Sequence, residues 1–271
     1  MGKIIEFPDE KKLKEKVKEL KSNLEDLIFE KNNLQFVICE NIKMEYMIIF
    51  GSLEYEIYEA YCKYLRLRRK KEMVQAKKNR QESIKIKNIE KELDGEFLEY
   101  KKKLDEKIEE INEAINRSKS DFLSDEENIL IKKLYKIIVK KLHPDLNPEI
   151  TDAQKELFYI ATESYKDGDI ITLQLIFDIV NSEEMEDDVS LSGKSLQDEV
   201  KRLEDLVNQV QDEVNLIKST PPYTWCIYVE DENKKNEKLN ELKKELKSFK
   251  DAIRTQEEYI NDLMRDNIWI I

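Results

Sequence analysis

Residues that break helices are scarce in this sequence, and their scarcity restricts its fold more than any other feature. Only five glycines and five prolines occur among 271 residues, well below the usual share of either. Charged residues make up 39% of the chain, and the mean hydropathy is -0.69. Such a chain can bury helical seams and one small core, but not a large globular interior. We therefore predict an elongated, all-α protein.

The N-terminal part shows the spacing of a coiled-coil helix. Apolar residues follow a heptad rhythm from Leu13 to Leu34, and Lys31 occupies the one polar core position. The most apolar stretch of the protein, residues 34–50, comes next and is followed by Gly51. We predict that this stretch turns the chain back on itself before a second helical run begins.

The C-terminal part carries two further heptad runs. One covers residues 196–217 without interruption, and the other covers 239–263 with Gln256 as its single polar core residue. The segment between them, 219–234, contains Pro221-Pro222 and is long enough to reverse the chain. These runs predict an antiparallel helical hairpin. Heptads alone leave open whether the hairpin pairs with itself or dimerises.

Changes in composition divide the chain into four predicted regions. The acidic, serine-containing segment 183–193 is interpreted as a linker. It separates the C-terminal hairpin at 194–271 from a middle helical module at 120–182, and that module follows an N-terminal coiled-coil region at 1–119. The predicted architecture is therefore a small helical module flanked by antiparallel coiled coils.

Three helices are predicted within the middle module. Capping-box pairs, Ser–Glu at 124/127 and Thr–Gln at 151/154, predict helices that begin near Asp125 and Asp152, and a third short helix follows Asp169. Their spacing places a set of apolar side chains in one small core. The members of this set are Ile131, Leu134, Tyr135, Ile138, Val139 and Leu142, then Leu157, Phe158, Ala161 and Tyr165, and finally Ile170, Leu173, Ile176 and Ile179.

The first of these helices leads into the only histidine of the chain. Pro144 disfavours helical backbone in the residue before it, so the helix is predicted to end at His143 and to be followed by Pro144-Asp145-Leu146-Asn147-Pro148. One structural interpretation is that Asp145 and Asn147 form an Asx turn while His143 is merely packed. The other face of the helix is basic, with Lys132, Lys133, Lys136, Lys140 and Lys141.

The loop and its flanking helices resemble a J-domain, the signature module of the DnaJ co-chaperone family. In that family an amphipathic basic helix carries a tyrosine eight residues before a His-Pro-Asp tripeptide, and Tyr135 stands eight residues before His143. The next helix of the family carries Phe, an apolar residue, a small residue and Tyr at fixed spacing. That pattern is matched by Phe158, Ala161, Ser164 and Tyr165. The resemblance covers residues 125–168.

The resemblance implies a partner. It implies that His143, Pro144 and Asp145, together with the five lysines, contact a DnaK-type chaperone ATPase and stimulate its ATP hydrolysis. Five ammonium groups on one helix would supply salt-sensitive attraction to an acidic partner. The usual first helix of the family has no counterpart in residues 116–127. The module is therefore predicted either to be truncated or to be completed by the neighbouring coiled coil.

Two hypotheses for function follow. The first is a J-domain-like co-chaperone or adaptor, whose coiled coils bind client or partner proteins while the middle module recruits the chaperone. The alternative is a non-catalytic coiled-coil scaffold with a degenerate J-like module. Under the alternative, replacing His143 by glutamine leaves every activity intact.

Other chemistry has no support in the sequence. One histidine and three widely separated cysteines, Cys39, Cys62 and Cys226, supply neither a metal cluster nor a Cys-His pair, and the glycines form no phosphate-binding loop. We predict no cofactor and no enzymatic activity. The unpaired cysteines, and the lack of an apolar leader or of a run of about 18 apolar residues, predict a cytoplasmic protein without a membrane segment.

Charge is distributed unevenly. The net charge of -12 makes nucleic acid an unfavourable partner overall, but residues 63–87 carry eleven Lys or Arg against only Glu72 and Glu82. We interpret this basic segment as a solvated helix that pairs with acidic helices such as residues 25–30. Binding to nucleic acid or to a membrane surface is the weaker alternative.

Overall fold

Helices account for every regular element in the computed structural model, which describes residues 8–119, 123–182 and 193–265. The all-α prediction is thus confirmed, and no helix in these ranges is long and apolar enough to cross a membrane. The predicted linker lies outside the described residues except for Gly193. The helices are α1 Pro8–Asn33, α2 Cys39–Tyr46, α3 Ser52–Asn79, α4 Ile86–Glu96, α5 Leu98–Lys119, α6 Asp125–Leu142, α7 Asp152–Asp167, α8 Ile170–Ser182, α9 Gly193–Ser219, α10 Cys226–Glu230 and α11 Glu232–Arg265.

The turn predicted around residues 34–51 is wrong. Two short π-helices, Leu34–Ile38 and Met47–Gly51, flank α2, so the backbone stays helical throughout this stretch. Gly51 has φ of -55° and ψ of -45°, the ordinary right-handed conformation. Its missing side chain serves close packing instead, because a Cβ added there would lie 3.0 Å from Cγ1 of Ile111 on α5.

The chain divides into two compact units that cut across the predicted regions. Unit 1 comprises Met1–Asn41 and Asp121–Thr224, and unit 2 comprises Ile42–Ser120 and Trp225–Ile271. The predicted C-terminal hairpin is wrong, because α9 packs against α1 within unit 1 and α11 packs against α3 within unit 2. A heptad stripe specifies an apolar seam, but it does not specify which other seam it meets.

Both long helix pairs are parallel rather than antiparallel. In unit 1, ion pairs join Lys16 of α1 to Glu204 of α9, and Glu30 to Lys218 farther along both helices. In unit 2, Glu56 of α3 pairs with Lys250 of α11, and Lys63 pairs with Glu257. Ion pairs of this kind flank apolar seams and set the partner and the orientation of each helix.

The apolar core of unit 1 contains the middle module, and α1 and α9 complete it. Leu24 of α1 and Leu203 of α9 are fully buried in the same cluster as Tyr135, Ala161 and Leu173 of the module. Two of the neighbouring long helices therefore share the core of the middle module. The predicted inward set is confirmed with one exception on α8. There Ile179 is 44% exposed, and Val180, at 2%, is buried in its place.

In unit 2, carboxylates of α4 pair with the basic segment 63–87. The pairs are Arg66 with Glu90 and Asp94, Arg69 with Glu96, and Lys70 with Glu90. Ion pairing of this segment is thus confirmed, but a single helix over 63–87 is wrong, because α3 ends at Asn79 and α4 begins at Ile86. The acidic partners named for it are also wrong, since Glu25 pairs with Lys140 and Glu30 with Lys218. Carboxylates held this close weaken the attraction of α3 for a phosphate backbone.

Candidate functional site

Local sequence signals fix both ends of α6, the helix that carries the candidate site. At its start, Ser124 and Glu127 form a reciprocal capping box, as predicted. At its end, His143 has φ of -69° and ψ of 128°, the extended conformation that Pro144 imposes on the residue before it. The helix therefore ends at Leu142, and the His-Pro-Asp loop begins at the predicted position.

The loop is ordered by its own hydrogen bonds. The backbone N–H of Asp145 donates to Nδ1 of His143 at 3.1 Å, and the backbone N–H groups of Leu146 and Asn147 donate to the His143 carbonyl at 3.1 and 2.9 Å. The side-chain Nδ2 of Asn147 donates to the Lys140 carbonyl at 2.8 Å, which satisfies one orphan carbonyl at the helix end. Asn147 thus bonds back to α6 rather than within an Asx turn.

The His143 side chain is mostly buried and packs against α7. Its side chain is 17% exposed, and its ring meets that of Phe158 on α7 edge-on, with centroids 5.0 Å apart. Burial lowers the pKa of His143, although the nearby Asp145 carboxylate opposes the shift. Because Nδ1 accepts a backbone N–H, the imidazole in this loop is neutral.

Acidification is expected to destabilise the protein partly through His143. Its folded pKa lies below the ordinary value of 6.5, so the unfolded chain takes up a proton first as the pH falls. The stabilising contribution of the neutral ring is therefore fully present well above pH 6.5 and is lost below it. Urea unfolding at about pH 8 and about pH 5 should show a larger loss of unfolding free energy in wild type than in His143→Gln. Equal losses in the two proteins would contradict this prediction.

The five predicted lysines do not share one environment. Lys136 pairs with Asp26 of α1 at 2.6 Å, and Lys140 pairs with Glu25 of α1 at 3.7 Å. Lys141 points toward α8, where its Nζ donates to Asn181 Oδ1 at 2.8 Å and to the Val180 carbonyl at 3.2 Å. Within the described part of the chain, no ion pair involves the remaining two, Lys132 and Lys133.

Helix α9 also contacts the loop, which the sequence did not indicate. Arg202 donates from Nη1 to the Asp145 carbonyl at 3.0 Å. Glu199 holds the same guanidinium through two hydrogen bonds of 2.8 Å and raises its pKa. Arg202 occupies an ordinary polar position between heptad core residues, so no pattern in the sequence marks it.

A buried polar network ties α1 to the module. Tyr135 and Tyr165 stack with centroids 4.1 Å apart, and burial raises the pKa of both, so their hydroxyls stay protonated. Asn32 donates to Tyr135 Oη at 3.0 Å, and Tyr165 donates to Asn33 Oδ1 at 3.1 Å. Both tyrosines were predicted to lie in the core, but no pattern in the sequence indicated that asparagines of α1 would hydrogen-bond to their hydroxyls.

A resident cofactor or metal site was not predicted, and the described ranges contain no group of three or more His, Cys, Asp or Glu side chains placed to hold a metal ion. The three cysteines are free thiols, and Cys39 and Cys62 are buried.

A scan against protein-family models, a search of curated proteins and a search of solved structures each return no match. The inference about function therefore depends on the residues themselves.

Proposed function

We propose that the middle module is J-domain-like, and that it recruits a DnaK-type chaperone ATPase and stimulates ATP hydrolysis by that partner. The observation that supports this most directly is the ordered His143-Pro144-Asp145 loop. Pro144 is exposed, and the Asp145 side chain is 46% exposed. A loop that is ordered before binding loses little conformational entropy when a partner docks, so its few polar contacts add to affinity.

In this proposal the long paired helices have a separate role. The pairs α1–α9 and α3–α11 hold client or partner proteins, while the loop and the lysines of α6 engage the chaperone. The free thiols of Cys39, Cys62 and Cys226 are in keeping with a cytoplasmic protein. The protein itself performs no chemistry, since the hydrolysed nucleotide belongs to the partner.

A coiled-coil scaffold with a degenerate J-like module is the second candidate. The packing of His143 against Phe158 favours it, because a ring that is 17% exposed offers a partner little surface. The hydrogen bond from Arg202 to the Asp145 carbonyl points the same way. On this reading the loop serves only to join α6 to α7.

Single-turnover ATP hydrolysis by a DnaK-type chaperone from the same source distinguishes the two candidates. Wild-type protein is expected to accelerate hydrolysis, and both His143→Gln and Asp145→Asn are expected to return the rate to its basal value. Asp145→Asn is the cleaner change, because the loop uses the backbone N–H of Asp145 for its internal hydrogen bond. Asp167→Asn makes the same chemical change at an exposed position at the end of α7.

The Asp167→Asn control is expected to stimulate as well as wild type. Thermal unfolding followed by circular dichroism verifies that each variant is folded. Stimulation that survives both loop substitutions contradicts the proposal. A folded wild-type protein without any effect on the ATPase supports the scaffold instead.

A further inference from the structure

Helix α1 places two carboxylates against the basic face of α6. Asp26 lies 2.6 Å from Lys136 and holds the pKa of that lysine above its ordinary value, and Glu25 lies 3.7 Å from Lys140. The Glu25 side chain is only 14% exposed, so it is largely buried rather than projecting into solvent. Two of the five lysines expected to meet an acidic partner thus already face acidic groups of the same chain.

The position of these carboxylates is fixed by buried contacts on either side of them. Leu24 is fully buried, and Leu27 and Ile28 are 7% and 3% exposed in the core that contains α6. One turn farther along α1, Asn32 donates to the hydroxyl of Tyr135 on α6. Helix α1 therefore cannot slide along α6 without breaking apolar and polar contacts together, and Glu25 and Asp26 stay in register with Lys140 and Lys136.

We propose that Glu25 and Asp26 form an intramolecular acidic mask, which competes with an acidic partner for Lys140 and Lys136 and so limits the affinity of the module. This inference rests on the proposed function, and it concerns the regulation of that same site. The mask acts through charge and not through removal of α1, because the buried contacts of α1 do not depend on the two carboxylates. A partner that docks on α6 has to displace them from the lysines.

The size of the effect follows from the exposure of the two pairs. The Lys136 and Lys140 side chains are 43% and 65% exposed, so each pair is partly screened by water. Removing two such competitors is expected to lower the concentration needed for half-maximal stimulation by about two- to tenfold. The maximal rate should change little, because the His-Pro-Asp loop is untouched.

The test compares the full-length double variant Glu25→Gln/Asp26→Asn with wild type in the single-turnover ATPase assay. Both substitutions keep the shape of the side chain while they remove its charge. The matched control is Glu15→Gln/Glu19→Gln, which makes the same change in net charge on the same helix. Glu15 and Glu19 are exposed, and neither forms an ion pair with any described residue. Melting temperatures establish that all three proteins are folded.

Each outcome decides the question. A shift to lower concentration in Glu25→Gln/Asp26→Asn alone, abolished by adding Asp145→Asn, supports the mask. Stimulation of equal potency in all three proteins overturns the mask while the proposed function stands. An equal shift in both double variants also overturns it, because net charge then explains the gain. If none of the three proteins stimulates the ATPase, the proposed function fails and the mask fails with it.

Discussion

Tyr135→Ala is expected to lower the unfolding free energy of unit 1 by about 3–5 kcal/mol, the range for losing a fully buried aromatic ring. Tyr135 is 0% exposed and stacks on Tyr165 with centroids 4.1 Å apart. Its hydroxyl accepts from Asn32 and bonds Thr162 at 3.2 Å, so truncation also leaves the Asn32 amide without its partner. Urea unfolding followed by circular dichroism measures the loss, and amide hydrogen exchange of α6 and α7 assigns it to this unit.

Two controls separate the causes of that loss. Tyr135→Phe keeps the ring and removes only the hydroxyl, so it is expected to cost about 1–3 kcal/mol. Tyr159→Ala removes a tyrosine that is 67% exposed on α7, so its effect is expected to stay within about 0.5 kcal/mol. If Tyr135→Ala is as stable as Tyr159→Ala, the buried network is not a source of stability.

Leu24→Ala is expected to destabilise the same unit by about 2–5 kcal/mol, although residue 24 lies far from the module in sequence. The side chain is 0% exposed and belongs to the cluster that contains Ile131, Leu134 and Tyr135. Removing it leaves a cavity that the packed helices cannot fully close. Hydrogen exchange should therefore quicken in α6 as well as in α1.

The matched control for Leu24→Ala is Leu216→Ala on α9, the same truncation at a side chain that is 61% exposed. It is expected to change stability by no more than about 0.5 kcal/mol. A Leu24→Ala variant that loses protection only in α1, with α6 to α8 unchanged, would show that the module is stable without this helix. That result would contradict the assignment of α1 to the core.

Features encoded within a few residues could be predicted from the sequence. The starts of α6 and α7 follow from capping boxes, and the end of α6 follows from Pro144, because each signal acts on adjacent backbone groups. Helical periodicity likewise identified most of the buried side chains. It failed at Ile179 and Val180, adjacent residues near the end of α8, where small differences in packing decide which one is buried.

Features that depend on distant segments could not be predicted. The four long helices α1, α3, α9 and α11 can pair in several ways, and the observed choice follows ion pairs such as Lys16–Glu204 and Lys63–Glu257, which no local pattern reveals. The stretch 34–51 illustrates the same limit. It contains no proline, and its Gly51 is required by the approach of Ile111 rather than by a turn.

Some residues of the candidate site could be predicted from the sequence, and others could not. Sequence spacing identified His143, Asp145 and the lysines, because motif and helix are contiguous in the chain. It could not identify their neighbours, because folding brings Glu25 and Asp26 to the lysines of α6 and Arg202 to the loop. Charged residues on a heptad helix are usually solvated, so nothing distinguished these three from the many others.

The parallel pairing of α1 with α9 also determines when unit 1 can fold. The ion pairs Lys16–Glu204 and Glu30–Lys218 each join residues that are 188 positions apart, so the contacts between α1 and α9 are very distant in sequence. A high contact order slows folding, because the long intervening chain has to be closed before those contacts form. On the ribosome, α1 emerges well before α9, which follows directly after the helices of the module. Unit 1 is therefore expected to reach its native state late in synthesis, with α1 exposed to other binding partners in the meantime.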